Sequence, residues 1–390
     1  MHKGYRRHKF IYNFVRLPVR IFLWFKLRFK LGKVNKLKGP FILISNHVTN
    51  FDMLMLALSY KEYMYFVASE HAFRAGFASK ILRFAFDPIA RPKASVGTGT
   101  VLEMKRRLKQ GHSICIFAEG IRSANGISGK MMPATAAILK LFGVPVVTYK
   151  LHGGYLTSPR WSSGIRKGHM EGEQIHVYSP EEIKKMSAEE LDDAINADIF
   201  EDAYEWNKER KIRYKTKNPA EGIENELVAC PNCHGLNTIK SKGNTFFCDC
   251  GMNGTVDDYG KLSGDGFCFE TVTEWDAWEK KLIEGLPDYD ENTVLASTEN
   301  QILREIKEEH TSEIISRGTL SITPKALSIG DFTVELDNIS LYDIILQGYI
   351  LFGTSDGRHF EIRNSEAKVP GFLYVRLINR YRKKGKNKND

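Results

Sequence analysis

From Gly39 to Leu151 the chain alternates short apolar runs with segments of helical period, and no other feature restricts its folds so strongly. "GPFILISNH", "YMYFVAS", "HSICIFAEG" and "VPVVTYKL" read as buried strands. Between them "FDMLMLALSY", "TVLEMKRRLKQG" with its closing Gly111, and "ATAAILKLFG" read as helices. Parallel strands need long crossovers and helices supply them, so the expected class is α/β, a mostly parallel sheet with flanking helices. From Ser179 the stretch "SPEEIKKMSAEELDDAINADIFEDAYEWNKERK" reads as one charged helix, opened by Ser-Pro-Glu-Glu, that closes this domain.

A length of 390 residues suggests two or three folded units. The texture divides the chain into a basic segment 1–38, the α/β domain 39–215, a cysteine-rich module 216–255, a β-rich domain 256–384 and a basic tail 385–390. In the β-rich part "WDAWEKKLIEG" reads as an amphipathic helix with Trp275 and Trp278 as core residues. "TLSITPKALSI", "FTVEL" and "YILFGTSDGRHFEI", the last with an Asp356-Gly357 turn, read as short strands, and "GFLYVRLINRYRKK" as a final helix. This pattern is similar to a pleckstrin-homology-like or GRAM-like fold, which implies binding of lipid headgroups or proteins.

The net charge of +9 is an N-terminal property: residues 1–38 hold twelve Lys or Arg and no Asp or Glu, leaving 44 basic against 47 acidic residues elsewhere. That distribution argues against a nucleic-acid surface, which clusters cations on a folded face. It fits an anionic membrane surface. "FIYNFVRLPVRIFLWFKLRFKL" carries cations too frequently to span a bilayer and reads as an interfacial helix starting near Pro18. Its cations Arg16, Arg20, Lys26, Lys30 and Lys33 share a sector. With no signal-peptide pattern and cysteines expected to be reduced, the expectation is a peripheral protein on the cytoplasmic face of a membrane.

"ISNHVTNFDMLM" puts His47 at a strand end and Asp52 in the first turn of a helix. Asp52 can hold one ring N–H of His47 and leave the other nitrogen to accept a proton, or simply favour the helix N-terminus. "FAEGIRS" follows the strand "SICI" with Glu119, Gly120 and Arg122, a guanidinium suited to phosphate. "DPIARPK" adds Arg91 and Lys93. These blocks, with "VPVV" after them, resemble in order and separation the glycerolipid acyltransferase family, which includes the 1-acylglycerol-3-phosphate acyltransferases, over roughly residues 38–165. The resemblance implies that His47 is the general base and Asp52 its partner, that Glu119, Gly120 and Arg122 shape the acceptor-phosphate site, and that Arg91 assists. It further implies a lysophospholipid acceptor, acyl-CoA or acyl carrier protein as donor, and no covalent acyl-enzyme. The chain departs from the family at Ala118, at Ile121 and in "KMMPAT", which lacks the usual lysine; Lys130 is one substitute cation. "SVGTGTVLEM" lacks the third glycine of a dinucleotide fingerprint, so no nucleotide cofactor is expected. His71, His112 and His152 read as structural histidines, and Cys115 as a packed core thiol.

"CPNCHGLNTIKSKGNTFFCDCG" supplies Cys230, Cys233, Cys248 and Cys250, two knuckles that suit a structural zinc ion in a zinc-ribbon-like module, with His234 as a substitute ligand. The leading expectation is therefore a membrane-surface O-acyltransferase acting on 1-acylglycerol-3-phosphate. The alternatives are transfer to another glycerolipid acceptor, a non-catalytic lipid-binding scaffold, and a zinc-dependent nucleic-acid binder.

Overall fold

The structure is a computed structural model that describes residues 4–35, 37, 39–69, 73, 77–91, 97–162, 164–307, 311–345, 348–364, 366 and 368–386. His71, Lys93 and positions 387–390 of the expected tail lie outside the described residues. The chain forms two compact units, one holding the described residues up to Arg91, Gly97–Lys217 and Asp258–Gly260, the other Asn218–Asp257 and the described residues from Lys261 on.

The first unit opens with α1 (Tyr5–Leu27) and β1 (Phe29–Leu31), followed by β2 (Ile42–Ser45), α2 (Asp52–Ser59), β3 (Met64–Ser69), α3 (Phe77–Phe86), β4 (Ile89–Arg91) and α4 (Thr98–Lys109). It continues through β5 (Ser113–Ile116), α5 (Thr135–Phe142), β6 (Val146–His152), α6 (Gly154–Thr157), β7 (Met170–Tyr178), α7 (Pro180–Lys185), α8 (Ala188–Ile199) and α9 (Ala203–Arg210). The strands form one sheet in the order β1-β7-β6-β2-β5-β3-β4, parallel throughout except for the β6–β7 pair. Apolar clusters cover both faces, as the near-continuous apolar runs of the central strands require. Because β2 and β5 are parallel neighbours, with Ile42 opposite Ile114 and Ile44 opposite Ile116, the loops carrying His47 and Glu119 leave the sheet side by side. Loops at the carboxyl ends of parallel strands are where such sheets build their sites.

Three expectations are corrected. The charged segment after Ser179 is three helices: Ser179 and Ser187 each form a capping box, Asp202 caps the third helix, and Met186 and Phe200 are extended between them. Helix α1 starts at Tyr5 and runs through Pro18, so Lys30 lies in β1 and Lys33 beyond it. Within α1, Arg16 turns inward and donates to the carbonyls of Ala57, Leu58 and Tyr60 (2.6, 2.8 and 2.5 Å), satisfying the open C-terminal end of α2. Strands β1 and β7 were not legible; β7 reads "MEGEQIHVY", whose charges mask its alternation.

The second unit contains a four-stranded antiparallel sheet, β8 (Ile239–Lys242), β9 (Thr245–Cys248), β10 (Asn253–Val256) and β11 (Leu262–Ser263), then α10 (Val272–Glu284). Seven strands follow: β12 (Ala296–Ile306), β13 (Ser312–Ile322), β14 (Ala326–Ile329), β15 (Phe332–Glu335), β16 (Ile339–Ile345), β17 (Tyr349–Thr354) and β18 (His359–Ile362), before α11 (Gly371–Lys386). They pair antiparallel in the order β15-β14-β13-β12-β18-β17-β16 over one apolar core, with α11 contributing Leu373, Tyr374, Leu377 and Ile378. "TLSITPKALSI" is the end of β13 and the start of a hairpin into β14, and Gly357 supplies the positive φ of the β17–β18 turn.

Candidate active site and metal cluster

His47 follows β2, and its ring lies against Phe117 after β5, with centroids 4.3 Å apart and planes 18° from parallel. Asp52, the first residue of α2, is fully buried and accepts from His47 Nδ1 at 2.7 Å. It also accepts from the Val48 N–H (2.6 Å), the Thr49 N–H (3.0 Å) and the Thr49 hydroxyl (2.6 Å). Those donors lock its position. An acceptor-only carboxylate on Nδ1 assigns the proton to that nitrogen, so Nε2 carries a lone pair. The imidazole remains 23% exposed, enough for a substrate hydroxyl to approach.

Glu119 is buried and aimed at the same loop. Its Oε1 accepts from the His47 N–H (2.8 Å) and its Oε2 from the Gly129 N–H (2.5 Å), so one carboxyl ties the His47 turn to the loop after β5. Burial pushes its pKa up to about 8, although the two N–H groups oppose the rise. Ser123 closes the connection by donating its N–H to the His47 carbonyl at 2.8 Å. Gly120 sits at φ +80°, and a Cβ there would come within 3.1 Å of Met132 Sδ and 3.2 Å of an Arg91 guanidinium nitrogen. The turn therefore needs glycine for both its backbone and its space.

Arg122 is half-buried and makes no hydrogen bond or ion pair among the described residues. Burial holds its pKa below the usual guanidinium range, the charge of Arg160 adds to that, and Asp52 opposes both. Thus the structure brings His47, Asp52, Arg91, Glu119, Gly120 and Arg122 to one end of the sheet. Lys130 is exposed, His112 is buried and stacks on Tyr5 at 4.1 Å, and Cys115 is buried within β5.

Two features escaped the sequence reading. Buried Glu201 accepts from the Gly153 N–H (3.1 Å) and the Asn46 amide (3.4 Å), and pairs with His152 Nδ1 at 3.2 Å. Asn46 also exchanges two 2.8 Å hydrogen bonds with the Leu151 backbone, clamping the residue before His47 to β6. The other is Arg160, only 6% exposed. Glu201 sits in a run of charged residues and Arg160 in a loop, so neither carried a local signal.

In the second unit the Sγ atoms of Cys230, Cys233, Cys248 and Cys250 lie within 4.8 Å of one another. Cys230 and Cys250 are 3.6 Å apart and Cys233 and Cys248 3.8 Å apart. Four thiolates around a tetrahedral zinc ion at about 2.3 Å have sulfurs about 3.8 Å from each other, so the cluster fits that ion. His234 is not part of the cluster; its ring packs on Trp278 at 5.6 Å.

Residues 27–151 match the family model described as Acyltransferase, a stretch that contains His47, Asp52, Arg91, Glu119 and Arg122. No curated protein matches. Among solved structures the chain is similar to the 1-acyl-sn-glycerophosphate (LPA) acyltransferase PlsC from Thermotoga maritima, at 19% identity and a TM-score of 0.44 over 55% of this chain and 86% of that one. It is also similar to the C-terminal domain of an unknown protein from Leishmania infantum, at 18% identity and a TM-score of 0.17 over 23% of this chain and 84% of that one.

Proposed function

We propose that this protein moves a fatty acyl group from a thioester donor, acyl-CoA or acyl carrier protein, to the hydroxyl of a lysophospholipid, with 1-acylglycerol-3-phosphate as the preferred acceptor and phosphatidate as the product. The observation that carries the reading is the His47–Asp52 pair inside the family-matched segment, with Nε2 left open. His47 Nε2 takes the acceptor's hydroxyl proton while the oxygen attacks the thioester carbonyl carbon. As the tetrahedral intermediate collapses, the C–S bond breaks and the imidazolium returns the proton to the thiolate. Asp52 stabilises the transient imidazolium, and Glu119 fixes the backbone from which it projects. Arg122, with Arg91 beside Gly120, receives the acceptor phosphate.

The protein works on a membrane surface, at the cytoplasmic face. Support comes from α1, which docks through His8, Tyr12, Leu23 and Leu27 while exposing Phe10, Phe14, Leu17, Trp24 and Phe25. Among the described residues no helix is long and apolar enough to cross a membrane. The four cysteines hold a structural zinc ion, which supplies fold stability and no open position for chemistry. The order of strands β12–β18 and the terminal helix support a pleckstrin-homology-like reading of the C-terminal domain.

The test is transfer of labelled acyl groups from both donors to a panel of lysolipids on anionic vesicles. Wild-type protein transfers, and His47→Ala falls by about 10²–10⁴-fold while still binding vesicles. Most of the activity surviving in His47→Ala would remove the base assignment. A wild-type protein that transfers to no acceptor would favour the lipid-binding scaffold.

A further inference from the structure

Helix α1 ends at Leu27, and Arg28 then turns the chain into β1 with φ +48°, a left-handed backbone that disfavours any side chain. Around this turn Trp24, Phe25, Arg28, Phe29, Lys30 and His169 line an open cavity of about 620 Å³, a volume that suits a small ligand. Its walls are fixed. Phe29 is buried in β1, and the His169 carbonyl accepts from the hydroxyl of buried Tyr214 at 3.1 Å. Trp24 and Phe25 meet edge to face at 4.7 Å, and both are exposed.

The cavity is cationic. Arg28 and Lys30 are exposed, and neither side chain has a hydrogen bond or ion pair among the described residues. Glu171, opposite Lys30 in the β1–β7 register, is the nearby acid, and it faces His169 Nε2 at 3.4 Å and Arg210 at 3.8 Å instead. Two cations with no acid of their own, beside exposed aromatic rings, suit the interface of a bilayer, where lipid phosphates lie close to the belt that aromatic residues occupy.

Strand directions put this cavity on the reactive side. β2 and β6 run parallel and end at Ser45 and His152; β7 starts there because His152 lies opposite Glu171, and β1 starts beside it because Phe29 lies opposite Met170. The cavity therefore lies at the end of the sheet that carries His47. Packing joins the two places: a Cβ on Gly154 would stand 2.3 Å from a Val48 methyl carbon and 2.9 Å from Met170 Cε, and the Phe22 ring meets Phe51 at 5.8 Å. Yet β1 is three strand positions from β2, about 14 Å at the usual spacing, too far for one phosphate to serve both.

We infer that this cavity binds the phosphate of an anionic membrane phospholipid, held by Arg28 and Lys30 with Trp24 and Phe25 against its glycerol and first acyl carbons, as a site separate from that of the acceptor. The inference rests on the membrane-surface reading proposed above. A lipid seated there sets the reactive end of the sheet toward the bilayer, where a lysolipid acceptor resides.

The experiment uses the full chain and compares wild type, Arg28→Gln/Lys30→Gln and Arg20→Gln/Lys26→Gln, the last removing the same charge from exposed cations of α1 outside the cavity. Co-sedimentation with mixed phosphatidylcholine and phosphatidylglycerol vesicles is read beside thermal stabilisation by monomeric dihexanoyl-phosphatidylglycerol and by inorganic phosphate. Arg28→Gln/Lys30→Gln should lose about tenfold or more in vesicle affinity beyond the control pair. The short-chain lipid should stabilise wild type and the control pair but not the cavity variant, and inorganic phosphate, with nothing to lay against the rings, should act weakly on all three. Equal stabilisation of wild type by phosphate and by the short-chain lipid would assign the cavity to free phosphate and overturn the lipid. Equal losses of vesicle binding in the two double variants overturn the site and leave the membrane reading standing, because diffuse attraction counts charge alone. If wild type binds no vesicle, the membrane reading fails and the short-chain lipid decides: stabilisation lost only in the cavity variant supports the site, and none, or the same in all three proteins, overturns it. Should the cavity variant fold poorly, Lys30→Gln against Lys26→Gln decides in the same way.

Discussion

Glu119 shows how one side chain couples stability to the active site. Its folded pKa of about 8 lies above the ordinary carboxylate value, with burial as the chief cause and the charges of Asp52 and Glu201 adding to it. Between the two values the folded protein holds a proton that the unfolded chain has released, so this group's contribution to stability is complete at low pH and is lost as pH rises toward 8. Urea unfolding across pH 5–8 should show stability falling in wild type, and Glu119→Gln should flatten that slope. Glutamine accepts only one of the two N–H groups of His47 and Gly129, so kcat should drop by tenfold or more. A variant with an unaltered slope would show that Glu119 titrates normally. The neighbouring Asn46–Glu201 contact has a related purpose: it fixes the residue that delivers His47 without touching the imidazole.

Among the elements, α1 is the one whose pattern runs against a water-facing helix. It buries His8 and Tyr12 and turns Arg16 onto the end of α2, while Phe14, Trp24 and Phe25 are 74%, 61% and 72% exposed. Phe77, Ile81 and Phe84 form a second exposed stripe on α3, which neighbours α1, and Arg7 covers the Phe84 ring at 4.1 Å. Aromatic side chains left out of a core find their most favourable place at a bilayer interface. Replacing Phe14, Trp24 and Phe25 with serine should reduce partitioning onto anionic vesicles by ~tenfold or more, measured by co-sedimentation. Transfer to a short-chain, water-soluble acceptor should continue. The cations Arg20 and Lys26 predict that vesicle binding weakens as salt rises, and salt-independent binding would argue for a purely apolar contact.

At the scale of the whole molecule, the cysteine cluster is built into the second unit. The backbone N–H groups of Val228 and Ala229, immediately before Cys230, donate to Glu279 of α10 at 2.8 and 2.9 Å. Glu279 in turn pairs with Arg376 of α11, which also holds Asp276 at 2.5 Å, and all three charged groups are buried. Trp275 adds a 2.9 Å bond to the Ala229 carbonyl. Losing the metal should therefore loosen α10 and the packing of α11 as well as the knuckles. Chelation, or Cys230→Ser, should lower the thermal midpoint by several degrees and shift Trp275 fluorescence, with one zinc per chain by elemental analysis of the untreated protein. A metal-free protein with the same midpoint would dismiss the structural zinc.

Local spacing by itself determined the alternating strands and helices of residues 39–151, the His47–Asp52 pair and the two cysteine knuckles, because each depends on a strand end, a helix start or a turn a few residues long. Asp52 could be read as a helix-first residue reaching back to His47, and its other partners, Val48 and Thr49, are equally near in the chain. Tertiary structure alone decided what lies farther apart. The Glu119 carboxyl meets the His47 N–H across 72 residues, and Glu201 meets Asn46 across 155. Strand β7 exists because β6 offers it an antiparallel edge, and α1 shows its aromatic face because α2 takes the opposite one. A periodic pattern records which face of an element is buried, whereas the convergence of charges from distant loops depends on sheet order and close packing, which no short window of sequence contains.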